Sequence, residues 1–459
     1  MAIIGAVADD LTGATTVGVL LARSGITTAA LFNENCSMSD NCNLDHEAII
    51  VSTNSRGITK EKAKEKVKIA TLNLKRMGIR EFSKRIDTTL RGNIGTEIDA
   101  MLDELGSDTV AVMLPSMPQS NRIMVGGYSI INGVPLSKTP VAKDVRTPVT
   151  DSYVPRLIAK QTKRKVSHVG LDELLKGKEN LKKVLTESRN KGAEVLLVDA
   201  ISLEDVSMVA CAVTELDWNV LAVDPGPFTE QLARAKKFNS NVIKKSVKME
   251  TKDNEFYGSG TVLVVAGSAS SVTVSQMKVL RDVSGTCQVS VKAPLLLGGG
   301  KASDLEIKRV SEKVVNILNE SNVPRVIMLE TALSGDVLNL KEEGKKYGIS
   351  SEEAADNINL GIGEITRRIL DKMKEKIVGL YMTGGDVMVY VCASLGVDGI
   401  ELIDYVIPQS DLGRLIGSKF NGMTVVGKGG LTGDDTTAIK IVNRIFYEEE
   451  CKAKSRSCM

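Results

Sequence analysis

Short runs of β-branched and aliphatic residues alternate with stretches of helical period along almost the whole chain, and this alternation constrains the fold more than any other feature. The runs fall at residues 3–8, 28–32, 48–52, 81–83, 109–114, 195–198 and 220–223. They resume at 261–266, 288–292, 325–329, 377–382, 400–406 and 424–426. Strand, helix, strand in succession predicts parallel sheets covered by helices on both faces. The rhythm stops at residues 239–260, NSNVIKKSVKMETKDNEFYGSG, whose polar, lysine-rich composition reads as a linker. At 459 residues the chain also exceeds what one hydrophobic core usually serves. The expected fold class is therefore α/β, with two three-layer domains of mostly parallel sheet at 1–245 and 258–447, and an active site in the interdomain cleft. A polar tail, residues 448–459, is expected to stay unpacked. At residues 126–136, GGYSIINGVPL, Asn132-Gly133 between apolar runs predicts a β-hairpin. It serves either as an edge or dimer contact, making the chain a homodimer, or as a substrate lid.

Charge and aromatic content exclude several functions. Lys and Arg number 59 against 57 Asp and Glu, and aromatics are 3%, so neither a polyanion-attracting field nor stacking platforms for nucleic acid are expected. The opening MAIIGAVADDLTG has no basic region before an apolar core, and no run has membrane-spanning length, so no membrane partner is expected. Seven cysteines, at 36, 42, 211, 287, 392, 451 and 458, form no Cys-x-x-Cys pair, which fits a reducing, cytoplasmic setting. His46 and His168 lie outside any metal-spaced cluster.

The residues with chemical promise sit just after the predicted strands. Asp9 and Asp10 end the first, where open α/β sheets bind ligands; helix capping is the competing reading, but a cap uses only one carboxylate. Arg56 follows another strand, and Lys84, Asp87, Arg91 and Asn93 follow the run at 81–83. Planar guanidinium forks suit a carboxylate, and Asp or Asn side chains suit hydroxyls, so these loops would hold a hydroxylated acid. In the second half, Ser268 and the segment Thr383-Gly384-Gly385-Asp386 follow strands with small residues that let backbone N–H groups approach a phosphate. Gly427-Lys428-Gly429-Gly430-Leu431-Thr432-Gly433-Asp434-Asp435 joins a strand to a helix and is the strongest such pocket. The order G-x-x-x-x-G-K-[ST] is absent, which excludes the P-loop class. Lys428 would meet a phosphate. Asp434 and Asp435 are placed to accept a proton from an attacking hydroxyl or to hold Mg²⁺, with helix capping as the alternative.

Together these motifs resemble the four-carbon acid sugar kinase family over nearly the whole chain. Ala8 to Ala14, Ala-Asp-Asp-Leu-Thr-Gly-Ala, is similar to that family's opening signature, and Ile86 to Asn93 to its Ile-Asp-Ser-Thr-Leu-Arg-Gly-Asn, with Thr88 for Ser. The hairpin and Gly384-Gly385-Asp386 also resemble family motifs. Val387 stands where a small residue is usual, Thr432 where Phe is common, and residues 115–122 and 224–228 depart from the family pattern. The resemblance implies an N-terminal sugar-acid domain and a C-terminal ATP domain. Asp9, Arg56, Lys84, Asp87 and Arg91 would then touch the acid, and Ser268, Gly384, Gly385, Asp386 and Gly430 the ATP, with Mg²⁺ as a second cofactor. In-line transfer to the terminal hydroxyl of threonate, erythronate or 3-oxo-tetronate is the expected reaction. The non-catalytic rival is a sensor that binds ATP and a sugar acid to regulate a partner. A phosphohydrolase using Asp9 as nucleophile lacks the Asp-x-Asp spacing it would need.

Overall fold

The computed structural model describes residues 2–35, 45–144, 146–238, 256, 258–333 and 338–457. Cys36, Cys42, Cys458 and residues 239–255 and 257, which hold most of the expected linker, lie outside the described residues. The chain divides into two compact units, Met1–Lys245 and Ser246–Met459.

In the first unit the strands are β1 (Ile4–Ala8), β2 (Thr28–Leu31), β3 (Ala48–Ser52), β4 (Glu81–Arg85), β5 (Thr109–Met113), β6 (Arg122–Val125), β7 (Tyr128–Ile131), β8 (Val134–Pro135), β9 (Val166–Val169), β10 (Val195–Val198) and β11 (Asn219–Asp224). Eight of them form a sheet in the order β2-β3-β1-β4-β11-β5-β10-β9, parallel throughout. Every residue of β1 is buried, as a strand covered on both faces requires. Along β5 the side chains alternate between two cores: Val110 and Val112 join one, Ala111 and Met113 the other. That alternation makes the unit three-layered. The helix Leu11–Arg23 supplies part of the cover by burying Ala14, Val17 and Leu21 on one stripe.

The strand order creates a crevice. After β1 the chain runs toward β3 and β2, whereas after β4 it runs toward β5, so the connections diverge between the adjacent strands β1 and β4. Ligands of open α/β sheets bind at such a switch, beyond the carboxyl ends of the strands.

The second unit repeats the device with β12 (Thr261–Ala266), β13 (Thr286–Ser290), β14 (Val326–Glu330), β15 (Ile377–Thr383), β16 (Gly399–Tyr405), β17 (Ser410–Ile416) and β18 (Thr424–Lys428). Their order is β13-β14-β12-β15-β18-β17-β16, parallel as far as β18 and antiparallel for the last two pairings. Here the connections diverge between β12 and β15. Val262, Val264 and Ala266 face one core while Leu263 and Val265 are buried on the other side.

Several details differ from the sequence reading. The hairpin is a three-stranded antiparallel sheet, β6-β7-β8, because Gly126 and Gly127, at φ 58° and 77°, make a second turn. Strands β9 and β17 were not expected: SDLGRLI is too mixed in polarity to stand out. Residues 448–457, expected as an unpacked tail, continue the helix Thr437–Ser457. Lys452 holds that end by donating to Thr424 Oγ1 at 2.7 Å and to the Gly422 carbonyl at 2.9 Å. No helix among the described residues is long and apolar enough to cross a membrane.

Candidate active site

At the β1/β4 switch of the first unit, three arginines and three aspartates interlock. Arg56 donates from Nε to Asp9 Oδ2 at 2.7 Å and from Nη2 to Asp9 Oδ1 at 3.2 Å. Its Nη1 pairs with Asp10 Oδ2 at 2.7 Å, and Nη2 stands 3.6 Å from Asp87 Oδ1. Arg91 holds Asp87 through Nε at 2.8 Å and Nη2 at 3.3 Å, and its Nη1 meets Asp144 Oδ2 at 3.3 Å. Thr89 also donates to Asp87.

Arg85, which sequence reasoning passed over, completes the cluster: Nη1 lies 3.3 Å from Asp9 Oδ1 and 3.2 Å from Asp10 Oδ1. Its guanidinium fills the space over Gly13, where a Cβ would collide with it. The glycine of the opening motif is thus a packing requirement. Asp10 fulfils both competing readings, since it caps the helix Leu11–Arg23 by accepting from Gly13 N at 2.7 Å while pairing with two arginines.

Burial works to raise all three carboxyls, and the arginines decide the outcome. The charges of Arg56, Arg85 and Lys84 overcome burial at Asp9 and hold it below its usual range. Arg56 and Arg91 do the same at Asp87. At Asp10 burial wins: Arg56 lowers the carboxyl, but its neighbours Asp9 and Asp87 add to the rise, and its pKa ends above the usual value. Asp10 nevertheless keeps 24% of its side chain exposed, so this burial belongs largely to the surrounding cluster.

Two expected acid ligands are engaged by the protein itself. Lys84 lies beneath the cluster, fully buried, with Nζ bonded to Glu97 Oε2 at 2.7 Å and to the carbonyls of Arg85 at 3.0 Å and Val7 at 3.3 Å. Its charge reaches Asp9, but its three donors are committed. Asn93 donates to the Ile58 carbonyl at 2.9 Å and lines a cavity of about 340 Å³ with Gly57, Gly92, Arg146 and Thr147. Gly57 and Gly92 follow Arg56 and Arg91 directly, so this cavity adjoins the cluster.

At the β12/β15 switch of the second unit lies a cavity of about 390 Å³, and Ser268, Gly384, Gly385, Asp386 and Gly430 line it. Gly384, at φ 110°, precedes the helix Gly385–Ser394, whose first N–H groups have no intrahelical acceptor, the arrangement that attracts anions. The helix Ser271–Arg281 ties the glycine loop down. Ser270 Oγ donates to the Gly430 carbonyl at 2.5 Å and Thr273 Oγ1 at 2.9 Å, while Gln276 Nε2 donates to the carbonyls of Thr432 at 2.9 Å and Asp434 at 2.8 Å. A Cβ at Gly430 would press on Ser268 Oγ at 2.6 Å, so a side chain there would displace that hydroxyl from the cavity wall. Val387, unusual beside the motif, packs where a Cβ of Gly267 would stand, 2.6 Å away.

The remaining candidates flank this cavity without lining it. Thr383 is buried against Thr273 at 3.3 Å. Gly429 and Gly433 belong to the loop, Gly433 with φ 88°. Lys428 is only 3% exposed, and Nζ donates to the carbonyls of Gly429 at 2.7 Å and Thr432 at 3.3 Å. No carboxylate balances it among the described residues, and burial lowers its pKa to about 8. Asp434, expected as a base, is engaged in the turn before the helix Thr437–Ser457: Oδ1 accepts from Thr436 N at 3.0 Å and Thr437 Oγ1 at 3.0 Å, and Oδ2 pairs with Lys440 at 2.9 Å. The Lys440 bond leads the causes that lower its pKa to about 2, far from the operating range a proton acceptor needs. Asp435 accepts from Ser275 Oγ at 2.6 Å.

No group of three or more His, Cys, Asp or Glu that could hold a metal occurs among the described residues. Among the described residues Asp386 is the one carboxylate lining the cavity, and a carboxylate oxygen is a hard donor of the kind Mg²⁺ takes.

Comparison with known proteins agrees with this division. Residues 4–232 match the model of a sugar-binding N-terminal domain and residues 263–438 that of a nucleotide-binding C-terminal domain. A D-erythronate kinase of Heliobacterium modesticaldum is 37% identical over 440 residues, 96% of this chain and 96% of that one. A D-threonate kinase of Salmonella typhimurium is 26% identical, covering 97% of this chain and 98% of the relative. A 3-oxo-tetronate kinase of Haemophilus influenzae is 25% identical over 88% and 91% of the two chains. The fold is shared with a solved Salmonella typhimurium LT2 protein at a TM-score of 0.79 and 20% identity, covering 96% of this chain and 99% of that one. A solved Haemophilus influenzae protein gives 0.74 at 22% identity, covering 96% and 100%.

Proposed function

The chain belongs to the four-carbon acid sugar kinase family, and from that premise we propose that it transfers the γ-phosphoryl group of ATP to the terminal hydroxyl of a four-carbon sugar acid. The observation that carries this reading is the pairing of two dissimilar switch-point sites in one chain: an arginine–aspartate cluster after β1 and β4, and a glycine-lined cavity after β12 and β15.

The division of labour follows from exposure. Arg56 is committed to Asp9 and Asp10, whereas Arg91 keeps 30% of its side chain exposed and holds Asp144 at 3.3 Å. Arg91 is therefore the cation that exchanges Asp144 for the substrate carboxylate, beside the cavity that Gly92 and Asn93 line. Asp9, Asp10 and Asp87 accept the hydroxyls, with Arg56 and Arg85 holding them in place. In the second unit the free N–H groups that open the helix Gly385–Ser394 and the loop at Gly430 hold the triphosphate, and Lys428 adds positive charge behind it. Asp386 would hold Mg²⁺, which neutralises phosphate charge. The terminal hydroxyl oxygen attacks the γ-phosphorus, the bond to the β-γ bridging oxygen breaks, and ADP leaves. The hydroxyl proton goes to a carboxylate, and Asp435 is our choice because Asp434 is consumed by the turn at Thr436 and by Lys440.

The test is incubation with Mg-ATP and a panel of four-carbon acids, D-erythronate first because of the 37% identical relative. Acid-dependent ADP release, with one acid preferred, supports the kinase. Tight binding of ATP and an acid without turnover would favour the sensor reading instead.

A further inference from the structure

The wall of the 390 Å³ cavity changes character along its length. One part is the glycine and serine lining described above. The other is aliphatic: Ala332, Leu338, Leu340, Ala355 and Ile358. Aliphatic walls suit the faces of a base but do not distinguish one base from another, because every base presents a similar apolar face. Discrimination needs a hydrogen-bonding group within that wall.

One side chain answers this description. Asn359 lies on the helix Ser351–Met373, on the stripe that carries Ala355 and Ile358, and it lines the cavity with them. It is 9% exposed, and its amide has no hydrogen-bond partner among the described residues. The other polar residue of this wall, Thr331, already donates to the Ala266 carbonyl at 3.5 Å. Asparagines on the open surface are solvated and those in cores are paired; this side chain is largely covered, yet its amide makes no bond among the described residues and opens onto the cavity, so it is placed for a ligand there.

Resting on the ATP-dependent reading above, we infer that Asn359 is the residue that reads the hydrogen-bonding edge of the nucleotide base. A carboxamide offers one donor group and one acceptor. Adenine presents a matching pair, its exocyclic amino group beside a ring-nitrogen acceptor, the pairing by which Asn recognises adenine elsewhere. The phosphates have no need of this group, since backbone N–H groups serve them. A ribose diol is most often held by a carboxylate, not an amide.

The inference is tested by replacing the amide with a carboxylate of the same shape. Asn359→Asp offers acceptors only; it mismatches the ring nitrogens of adenine and matches the adjacent N–H donors of guanine. The ratio of ADP to GDP affinity, measured by calorimetry on the full chain, is expected to fall by about tenfold or more. The ratio of kcat/KM for ATP over GTP should fall with it. An unchanged ratio, with both nucleotides weakened equally, overturns the inference, because a ribose contact or a purely structural role gives that result. Should the Asp variant not fold, Asn359→Leu is expected to weaken ADP about tenfold and to leave the KM of the sugar acid unchanged; unaltered ADP affinity overturns the inference. A shifted ADP-to-GDP ratio in a chain that phosphorylates no acid would uphold this inference while sinking the kinase reading.

Discussion

Arg91 and Arg56 belong to one ionic cluster but differ in what holds them, and this difference makes the site testable residue by residue. Removing a hydrogen-bonded charged anchor costs roughly 1.5–3 kcal/mol, about one to two powers of ten in affinity. Arg91→Ala should therefore raise the KM for the acid by about tenfold or more and leave that for ATP unchanged. Asp435→Asn should lower kcat while sparing the acid's KM; steady-state kinetics on both variants checks the pair, and equal effects of Arg91→Ala on both substrates would contradict the assignment. Lys428 brings a pH dependence. Burial lowers its pKa from 10.5 to about 8, so between these values the unfolded chain keeps a proton that the folded chain has lost, and stability rises with pH. Phosphate binding runs the other way, since it needs the charged form. ADP affinity should fall as pH rises through about 8, and Lys428→Met should flatten that profile; a flat profile in the unaltered chain removes Lys428 from the phosphate site. Asp9, Asp87 and the glycine loop were legible because each follows a recognisable strand. Arg85 and Asn359 were not, because their importance comes from neighbours across the fold: Gly13 under one, a cavity wall around the other.

Among the elements, the small β6-β7-β8 sheet is tied to its unit by backbone bonds such as Met124 with Ala200, and its glycine turn by one buried carboxylate. Asp199 follows β10 and is fully buried, accepting from Gly126 N at 2.6 Å, Gly127 N at 3.1 Å and Leu171 N at 3.1 Å, with His168 Nε2 at 2.9 Å. It joins the second glycine turn to β9 and the segment after it. Each buried donor left without a partner costs about 1–3 kcal/mol, so Asp199→Ala should destabilise this region by at least about 2 kcal/mol. Amide hydrogen exchange over residues 122–135 should accelerate accordingly; exchange as slow as in the unaltered chain would show that other contacts hold the sheet. The turn at Asn132-Gly133 was readable, and both residues have positive φ, 49° and 79°, as a tight hairpin turn requires. The turn at Gly126-Gly127 was not read, because those glycines were placed at the head of the hairpin segment although a Gly-Gly pair is itself a turn signal. Strand β9 escaped notice because VSHV is short and half polar.

For the whole molecule, alternating strands and helices were enough to indicate two α/β units, but not the order of strands within them. That β3 lies between β1 and β2, and β14 between β13 and β12, is set by which apolar faces pack together, and such pairings leave no periodic trace. Yet that order creates both switch points and so decides which loops share a site. The account stands on phosphoryl transfer to the acid, and the most direct measurement uses ATP whose γ-phosphate oxygens are labelled with a heavy isotope. After incubation with Mg²⁺ and the preferred acid, mass spectrometry should find an acid monophosphate with three labelled oxygens, its ester oxygen unlabelled because the acid supplied it. Label appearing only in free phosphate, at a rate indifferent to every acid supplied, would contradict the account.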